Sequence, residues 1–391
     1  MRVDPRAKMR ASIMVAIAGA AFFFFAAAAP AAAQAVPDLV ASVSSSQVGE
    51  TATPSLAADA VGATDVDEAV EAVDPAETGG DAPPPGGNRV LQQLTNGVVF
   101  GLLLALASVG LSLIYGTTGL SNFAHGEQVS LGALLTFFFV SPAPVGLPLL
   151  PWSFSFNWPL IPAALAAIVI SAGTGWLQDR FIWSPLRRRK VSLVQQMIVS
   201  IGLSLALLNF IQWWFGGERK RLSTAALTSL NLGPVSISQT TLYSMGISIA
   251  CLAGVAYFLL RTRIGRATRA VSDNRALAAA SGIRVDRVIR LVWMLAAGLA
   301  AVGGILLALY DNATAFDVGA RLLLLMFAAV TLGGLGHPFG ALVGSIVIGI
   351  AVEMSTLVLG SDLKYGVALG VLVLVLLVRP QGLLGRAERV G

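Results

Sequence analysis

The chain has 391 residues, of which 55% are apolar and only 12% are charged, and its formal net charge is +5. Soluble domains carry about 25% charged residues, so this composition excludes an ordinary soluble domain. The excess of basic residues does not indicate a nucleic-acid-binding protein, because the bases cluster in short loops between long apolar runs.

Residues 1–35 have the pattern of a secretory signal, with a basic start, an apolar centre and a small-residue end. Cleavage near Ala35 and an uncleaved signal anchor both stay open, because the apolar centre is longer than the ~7–15 residues usual in cleaved signals. Residues 36–90 hold ten of the 21 acids and a single base, Arg89. Such a segment buries too little apolar surface to fold, so we expect an acidic, disordered, exported linker.

The region 91–386 is a predicted membrane domain with nine apolar segments. They cover residues 92–115, 122–140, 158–179, 194–215, 241–260, 289–310, 322–335, 339–359 and 363–378. Runs of about 18 or more apolar residues are long enough to cross a bilayer core ~30 Å thick. We therefore predict an all-α polytopic membrane helical bundle with about eight to nine transmembrane or re-entrant segments.

The seventh segment, 322–335, is too short to span comfortably and ends in "TLGGLGHPFG". A re-entrant or broken helix supported by its neighbours and a short helix buried in the core both stay open.

The distribution of bases predicts the orientation. If residue 91 lies outside and nine crossings follow, the inner loops and the C-terminus hold 16 bases and the outer side holds six. The positive-inside rule favours this arrangement, with the segment 36–90 extracytoplasmic and the C-terminus cytoplasmic. The basic stretch "GERKR" at 217–221 is a local exception that the sequence does not explain.

The stretch "GLSNFAHGEQVSLGALL" places Asn122, His125 and Glu127 at the start of the second apolar segment, just after an inner loop. One interpretation is a polar element at the inner mouth of a translocation path. The other is a helix start that Ser121 or Asn122 caps, with Glu127 in the electropositive first turn. Glu353 is a further candidate in the eighth segment, where a functional position and interfacial solvation are both open.

The loop 261–288 is the longest cytoplasmic connection and contains "GRATRAVSDNRALAAASGI". Ser272 or Asp273 is expected to cap a helix that ends at Gly282. The small side chains of this helix would fit closely into a groove on another protein. A solvated basic loop is the alternative.

Nucleotide and metal chemistry are not indicated. No lysine follows a glycine, which excludes a Walker A loop, so any ATP must be bound by another chain. His125 and His337 are far apart and Cys251 stands alone, so we expect no metal cluster and no cofactor.

Four pieces of the chain form a family pattern: "LQQLTNGVVFGLLLALASVGLSLIYGTTGLSNFAHGE", "RTRIGRATRAVSDNRALAAASGIRVDRVI", "VTLGGLGHPFGALVGSIVIG" and "LLVRPQGLLG". From about residue 91 to 386 the chain resembles the membrane-spanning permease subunit of branched-chain amino-acid ABC importers, the LivH type. The resemblance implies a multi-pass transporter subunit of the bacterial inner membrane rather than an enzyme. It also implies four kinds of contact: a second related permease, two cytoplasmic ATPase subunits, an extracytoplasmic solute-binding protein and the lipid bilayer.

The resemblance also implies roles for particular residues. The segment 265–282 is similar to the cytoplasmic segment on which the ATPases push, and its candidate coupling residues are Gly265, Arg266, Arg269, Asp273, Asn274, Arg275, Ala278 and Gly282. Asn122, His125, Gly126 and Glu127 are family-motif positions. Urea or short-amide permeases of the same family also carry exported N-terminal extensions, so that substrate class is the alternative. An ion-coupled secondary transporter is a less favoured one.

Overall fold

The computed structural model describes residues 88–146, 153–222, 229–360, 363–378 and 382–384. The predicted signal at 1–35 and nearly all of the linker at 36–90 lie outside the described residues. The membrane domain begins two residues earlier than predicted, with a helix that starts at Arg89.

Helices dominate the described region, which confirms the all-α class. In chain order they are α1 Arg89–Thr118, α2 His125–Val140, α3 Leu160–Arg188, α4 Leu193–Phe215, α5 Gln239–Arg261, α6 Arg263–Asp273, α7 Arg275–Ala280, α8 Val285–Tyr310, α9 Val318–Gly333, α10 Pro338–Ser355 and α11 Lys364–Val378. Two antiparallel hairpins join strands β1 Val145–Gly146 with β2 Ser153–Phe154, and β3 Ser229–Leu232 with β4 Val235–Ser238.

Each predicted apolar segment coincides with a helix. Within the described ranges, six helices are long and apolar enough to cross a membrane, namely α1, α3, α4, α5, α8 and α10. The helices α9 and α11 are apolar but shorter. The chain therefore forms the polytopic membrane bundle that the sequence predicts.

The ends of α1 follow from local chemistry. Asn88 accepts a hydrogen bond from the backbone N–H of Val90 at 3.0 Å, so its side chain caps the first turn. Gly119 ends the helix with a φ of 72°, a left-handed conformation that glycine adopts without steric cost. This stop occurs in the short polar stretch between the first two apolar segments, and it turns the chain back toward the bundle.

The core of the bundle is built on α1 and α8. Within an 18-residue apolar window of each helix, 83% of α1 and 72% of α8 is buried, against 17% of α4 and 22% of α5. The two central helices run antiparallel, because Gly110 packs against Ala296 while Gly303 packs against Leu103. Small residues at these crossings let the backbones approach closely, as is usual between membrane helices.

The bundle contains an inverted internal repeat. Adding 193 to the residue numbers of α2, His125–Val140, gives the bounds of α9, Val318–Gly333. The same shift carries Gly110 onto Gly303 and Leu103 onto Ala296, so the contact between α1 and α8 maps onto itself. Because α1 and α8 run in opposite directions, the two units α1–α2 and α8–α9 are related by an approximate two-fold axis.

Candidate functional site

The helix α2 begins inside the bundle, beside the middle of α1, rather than beyond the end of α1. His125, its first residue, donates from Nε2 to the carbonyl oxygen of Ala107 at 3.0 Å. Ala107 lies near the middle of α1, about 16 Å along the helix axis from the end at Thr118. Residues 119–124 therefore return along α1 without forming a helix. His125 and Glu127 therefore lie beside the middle of α1 rather than beyond its end, because Gly119 reverses the chain. That they form a polar element at the inner mouth of a passage stays a prediction.

Backbone N–H groups of the returning segment, residues 119–124, donate hydrogen bonds to polar side chains. Asn122 accepts from the backbone N–H of Ala124 at 3.2 Å, and Ser200 of α4 accepts from the N–H of Phe123 at 3.2 Å. Non-helical backbone at this depth is tolerated only when such groups are paired inside protein. Asn122 thus closes a turn before α2, whereas the helix cap at Ala124 makes no side-chain bond. The predicted capping by Ser121 or Asn122 was therefore wrong in its position.

Glu127 lies in the first turn of α2, as expected from the favourable interaction of a carboxylate with a helix N-terminus. Its side chain is 1% exposed, and its Oε1 accepts from Ser204 Oγ of α4 at 2.9 Å. Ser204 lies near the middle of the 23-residue helix α4. The carboxylate is therefore held at the same intermediate depth as His125.

Three buried polar atoms around this turn are available for a further contact. Among the described residues, none bonds to Nδ2 of Asn122, Nδ1 of His125 or Oε2 of Glu127. The structure thus brings the three predicted residues of this stretch into one short region. Buried polar groups normally have partners, so a cluster of this kind is suited to binding a polar solute or water.

The start of α9 meets the start of α2. Ser130 Oγ accepts from the backbone N–H of Gly319 at 2.8 Å, and a Cβ added at Gly319 would stand 1.9 Å from the carbonyl oxygen of Gly126. Gly126 and Gly319 are equivalent positions of the repeat, so this contact lies on the approximate two-fold axis. Two short helices consequently begin at the same depth with their electropositive ends close together.

A small apolar cavity lies beside these helix starts. Its lining comes from Phe100, Leu103, Leu104, Ala107, Val129, Gly303, Leu307 and Leu322. Val129 and Leu322 are equivalent positions of the repeat, which places the cavity next to the two-fold axis. The site therefore combines polar groups with an adjoining apolar surface.

Glu353 is held in a different contact. Its Oε1 accepts from Lys364 Nζ of α11 at 2.9 Å, and both side chains are nearly buried. The carboxylate at this position is paired rather than solvated at an interface. The pairing joins the end of α10 to the start of α11.

The predicted coupling segment forms two short helices, α6 and α7, instead of one. Asn274 separates them, and its side chain accepts from the N–H of Leu277 at 2.9 Å, so Asn274 is the cap. The prediction that Ser272 or Asp273 caps the helix was therefore wrong by one or two residues. Gly282 follows the end of α7 with a φ of 84°, in agreement with its predicted role as a stop.

The candidate coupling residues divide into an exposed face and a buried anchor. Gly265 and Ala278 are buried, whereas the others are exposed: Arg266, Arg269, Asp273, Asn274, Arg275 and Gly282. Arg275 also donates to the carbonyl oxygen of Thr117 at 2.5 Å, in the last turn of α1. Burial, and to a smaller extent the nearby Arg187, lowers the pKa of Arg275. The segment is thus fastened to the central helix while it presents small and charged side chains outward.

Comparison with known proteins identifies the family. A family model described as the permease component of the branched-chain amino acid transport system matches residues 93–376. The chain belongs to this permease family. It is 34% identical over 309 residues to the high-affinity branched-chain amino acid transport system permease protein LivH of Escherichia coli (strain K12), covering 76% of this chain and 96% of that protein.

Two further relatives give the same result. The chain is 33% identical over 304 residues to LivH of Salmonella typhimurium and 32% identical over 306 residues to BraD of Pseudomonas aeruginosa, again with 76% of this chain and 96% of the relative covered. No solved structure matches the chain. This permease is therefore a multi-pass membrane protein and a component of a transport system.

The permease also contains an ion cluster that the sequence did not reveal. Asp179, fully buried in α3, accepts from Arg187 Nη2 at 2.6 Å and from Arg290 Nε at 3.3 Å. Beside it, the ring of Trp183 stacks on Trp293 with centroids 5.3 Å apart. This cluster connects α3 to the beginning of α8, immediately after the coupling segment. Its one sequence signal is an acid at the end of an apolar run, since Arg290 is 111 residues away.

Proposed function

We propose that this permease is the membrane-spanning subunit of an ABC importer for branched-chain amino acids. Solute would be delivered by an extracytoplasmic binding protein, and transport would be powered by two ATPase subunits, since this chain has no Walker A loop. The observation that carries the proposal is the family match, which covers residues 93–376, from the first turns of α1 to the last turn of α11. Relatives named as high-affinity branched-chain amino acid permeases are covered over 96% of their length.

The proposed orientation places the coupling segment in the cytoplasm. The loop 261–288 and the C-terminus would lie inside, and the segment 36–90 outside, as the distribution of bases indicates. The exposed face of α6 and α7 would then contact the ATPases, and a second related permease would complete the translocation pathway. The exposed large apolar residues of α4 and α5 are consistent with a surface that lipid or that second permease covers.

The contacts within the chain suggest how force would reach the site. Movement of α7 acts on the end of α1 through the bond from Arg275 to Thr117. The same helix holds His125 at Ala107, near its middle. We propose that this linkage drives alternating access around the region of Asn122, His125 and Glu127, which would line the passage. Glu353 stays a prediction, with the Lys364 contact supporting a structural contribution.

Reconstitution tests the proposed function. The complete importer, with its second permease, both ATPases and its binding protein, is reconstituted into proteoliposomes. ATP is either enclosed in the vesicles or added to the outer solution. We expect uptake of labelled leucine that requires both ATP and the binding protein. Uptake of urea but not leucine would support the alternative substrate class. Uptake by the single chain on an ion gradient, without ATP, would overturn the proposal.

Two variants test the coupling segment. Ala278→Glu places a charge at a buried position and Gly282→Pro requires a negative φ where the backbone has +84°. We expect both importers to assemble and hydrolyse ATP with at least tenfold less uptake per ATP. Ala279→Glu, at an exposed neighbouring position, is the control. It should lower uptake per ATP if any added charge on the docking face interferes, and it should leave uptake unchanged if the loss at Ala278 comes from disruption of the buried contact. Wild-type uptake by both variants would contradict a role of this segment in coupling.

A further inference from the structure

An exposed ion pair occupies the first turns of α9. Arg321 donates from Nη2 to Asp317 Oδ2, and the two side chains are 52% and 24% exposed. Such an i, i+4 pair is ordinary on a helix in water, where it contributes little. Here, however, α9 begins beside Gly126 and Ser130, at the depth where α2 starts halfway along α1. Charges at that depth are costly in hydrocarbon, so the pair must face water or another protein.

A third ionisable group lies nearby. Glu127 follows Gly126, and the carbonyl oxygen of Gly126 meets Gly319, two residues after Asp317. Oε1 of Glu127 is bonded to Ser204, whereas Oε2 has no partner among the described residues although the side chain is only 1% exposed. Two carboxylates and one guanidinium therefore surround the point where α2 and α9 meet. That set contains both signs of charge needed for a zwitterion.

The internal repeat shows that these charges are not a by-product of the architecture. The shift of 193 that carries the residue numbers of α2 onto those of α9 pairs Arg321 with Gln128 and Asp317 with Ala124. Gln128 accepts from Thr174 Oγ1 at 2.8 Å, which is an ordinary contact between helices. The charged pair is thus present in one half of the repeat only, at positions that the other described residues leave exposed.

We propose that Arg321, Asp317 and Glu127 recognise the two charges of an α-amino acid as it passes through the permease. Arg321 would pair with the carboxylate of the solute, because a guanidinium binds carboxylates through two parallel hydrogen bonds. The carboxylates of Asp317 and Glu127 would receive its ammonium group. This inference rests on the proposed function and specifies the solute as a zwitterion.

Thiol accessibility tests whether the pair faces water. Leu324→Cys, at an exposed position of α9 three residues after Arg321, is made in a Cys251→Ser background, which removes the single natural cysteine. This variant keeps Arg321, Asp317 and Glu127, and the assembled importer is treated with a charged, membrane-impermeant methanethiosulfonate. We expect modification that saturating leucine slows at least fivefold, and that leucinamide and urea do not slow. Val169→Cys, at an exposed apolar position of α3, is the control that should not react. No reaction at position 324 would show that lipid or the second permease covers this face of α9, and would overturn the proposal.

Leucine uptake tests whether the two charges do more than stabilise α9. Arg321→Gln and Asp317→Asn should each lower leucine uptake at least tenfold, and the double variant should stay as low. If the pair only stabilises α9, the double variant recovers, because removing both partners leaves no unpaired charge. The exposed pair Glu218 and Lys220 provides the matched double-neutral control. Recovery in the double variant would overturn the proposal.

The two inferences fail in different ways. Absence of leucine uptake by the wild-type importer overturns the proposed function. The thiol measurement still decides the site in that case, because protection by glycine or alanine supports a zwitterion site and equal protection by urea contradicts it.

Discussion

Replacing Gly319 with alanine should separate the two helix starts that form the site. The added Cβ would lie 1.9 Å from the carbonyl oxygen of Gly126 and 2.9 Å from Ser130 Oγ. Real Cβ atoms do not approach backbone this closely, so α9 must move away by more than 1 Å. Overpacking of this kind costs about 1–3 kcal/mol, and loss of the bond from Gly319 N–H to Ser130 adds about 1 kcal/mol. We therefore expect a loss of about 2–4 kcal/mol in unfolding free energy.

The assay is thermal unfolding of the purified permease in detergent, followed by tryptophan fluorescence, together with leucine uptake by the reconstituted importer. Gly254→Ala is the matched control, because Gly254 is a helical glycine of α5 with nothing within 4 Å of an added Cβ. That change should be neutral or stabilising by about 0.5–1 kcal/mol. Ser130→Ala isolates the hydrogen bond and should cost about 1 kcal/mol. Equal melting temperatures for Gly319→Ala and Gly254→Ala would refute the close contact and the repeat axis placed there.

Three other predictions concern ion pairs and orientation. Asp179→Asn should lower the unfolding free energy by about 2–3 kcal/mol. Breaking a fully buried pair costs ~3–5 kcal/mol, and the loss is smaller here because 27% of the Arg290 side chain is exposed. An unchanged melting temperature would contradict this prediction. Glu353→Gln leaves the ammonium group of Lys364 buried without its partner and should also lower the melting temperature. The double change Glu353→Leu with Lys364→Met should restore the melting temperature, and a double variant as unstable as the single one would count against the pairing. In a background without the natural cysteine, Glu218→Cys should react with an impermeant thiol reagent on intact cells and Ser281→Cys only after lysis; the reverse pattern would invert the proposed orientation.

The existence of the helices could be predicted from the sequence because a membrane span must be continuous and apolar. Each of the nine apolar segments became a helix, and the ends differ by at most four residues except at α3, which continues nine residues beyond the predicted end at 179. The capping signals were less reliable. Ser272, Asp273 and Asn274 are all good caps, and only the three-dimensional path of α6 decides that Asn274 is the one used.

The depth of the site could not be predicted from the sequence. Glu127 follows a short polar stretch that resembles an inner loop, and nothing local shows that the chain turns back at Gly119. The contacts that fix its depth come from Ala107 in α1 and from Ser200 and Ser204 in α4, up to 77 residues away. The partners of buried ionisable groups are set by packing between helices, so the ion cluster at Asp179 was missed for the same reason.

The inverted repeat gives a physical reason for placing recognition at the contact between Gly126 and Gly319. In an inverted repeat, opening to one side of the membrane and opening to the other are related states of the two halves, and solute sites in such proteins lie at the repeat interface near the midplane. A residue on the axis would be equally close to both exits of the proposed passage, whereas Glu353 lies near one end of α10. The charged side chains need not obey the symmetry, because a zwitterion has one carboxylate and one ammonium. An architecture with two equivalent halves and a charge pair in only one of them therefore meets both requirements: a passage that alternates, and a solute that is held in one orientation.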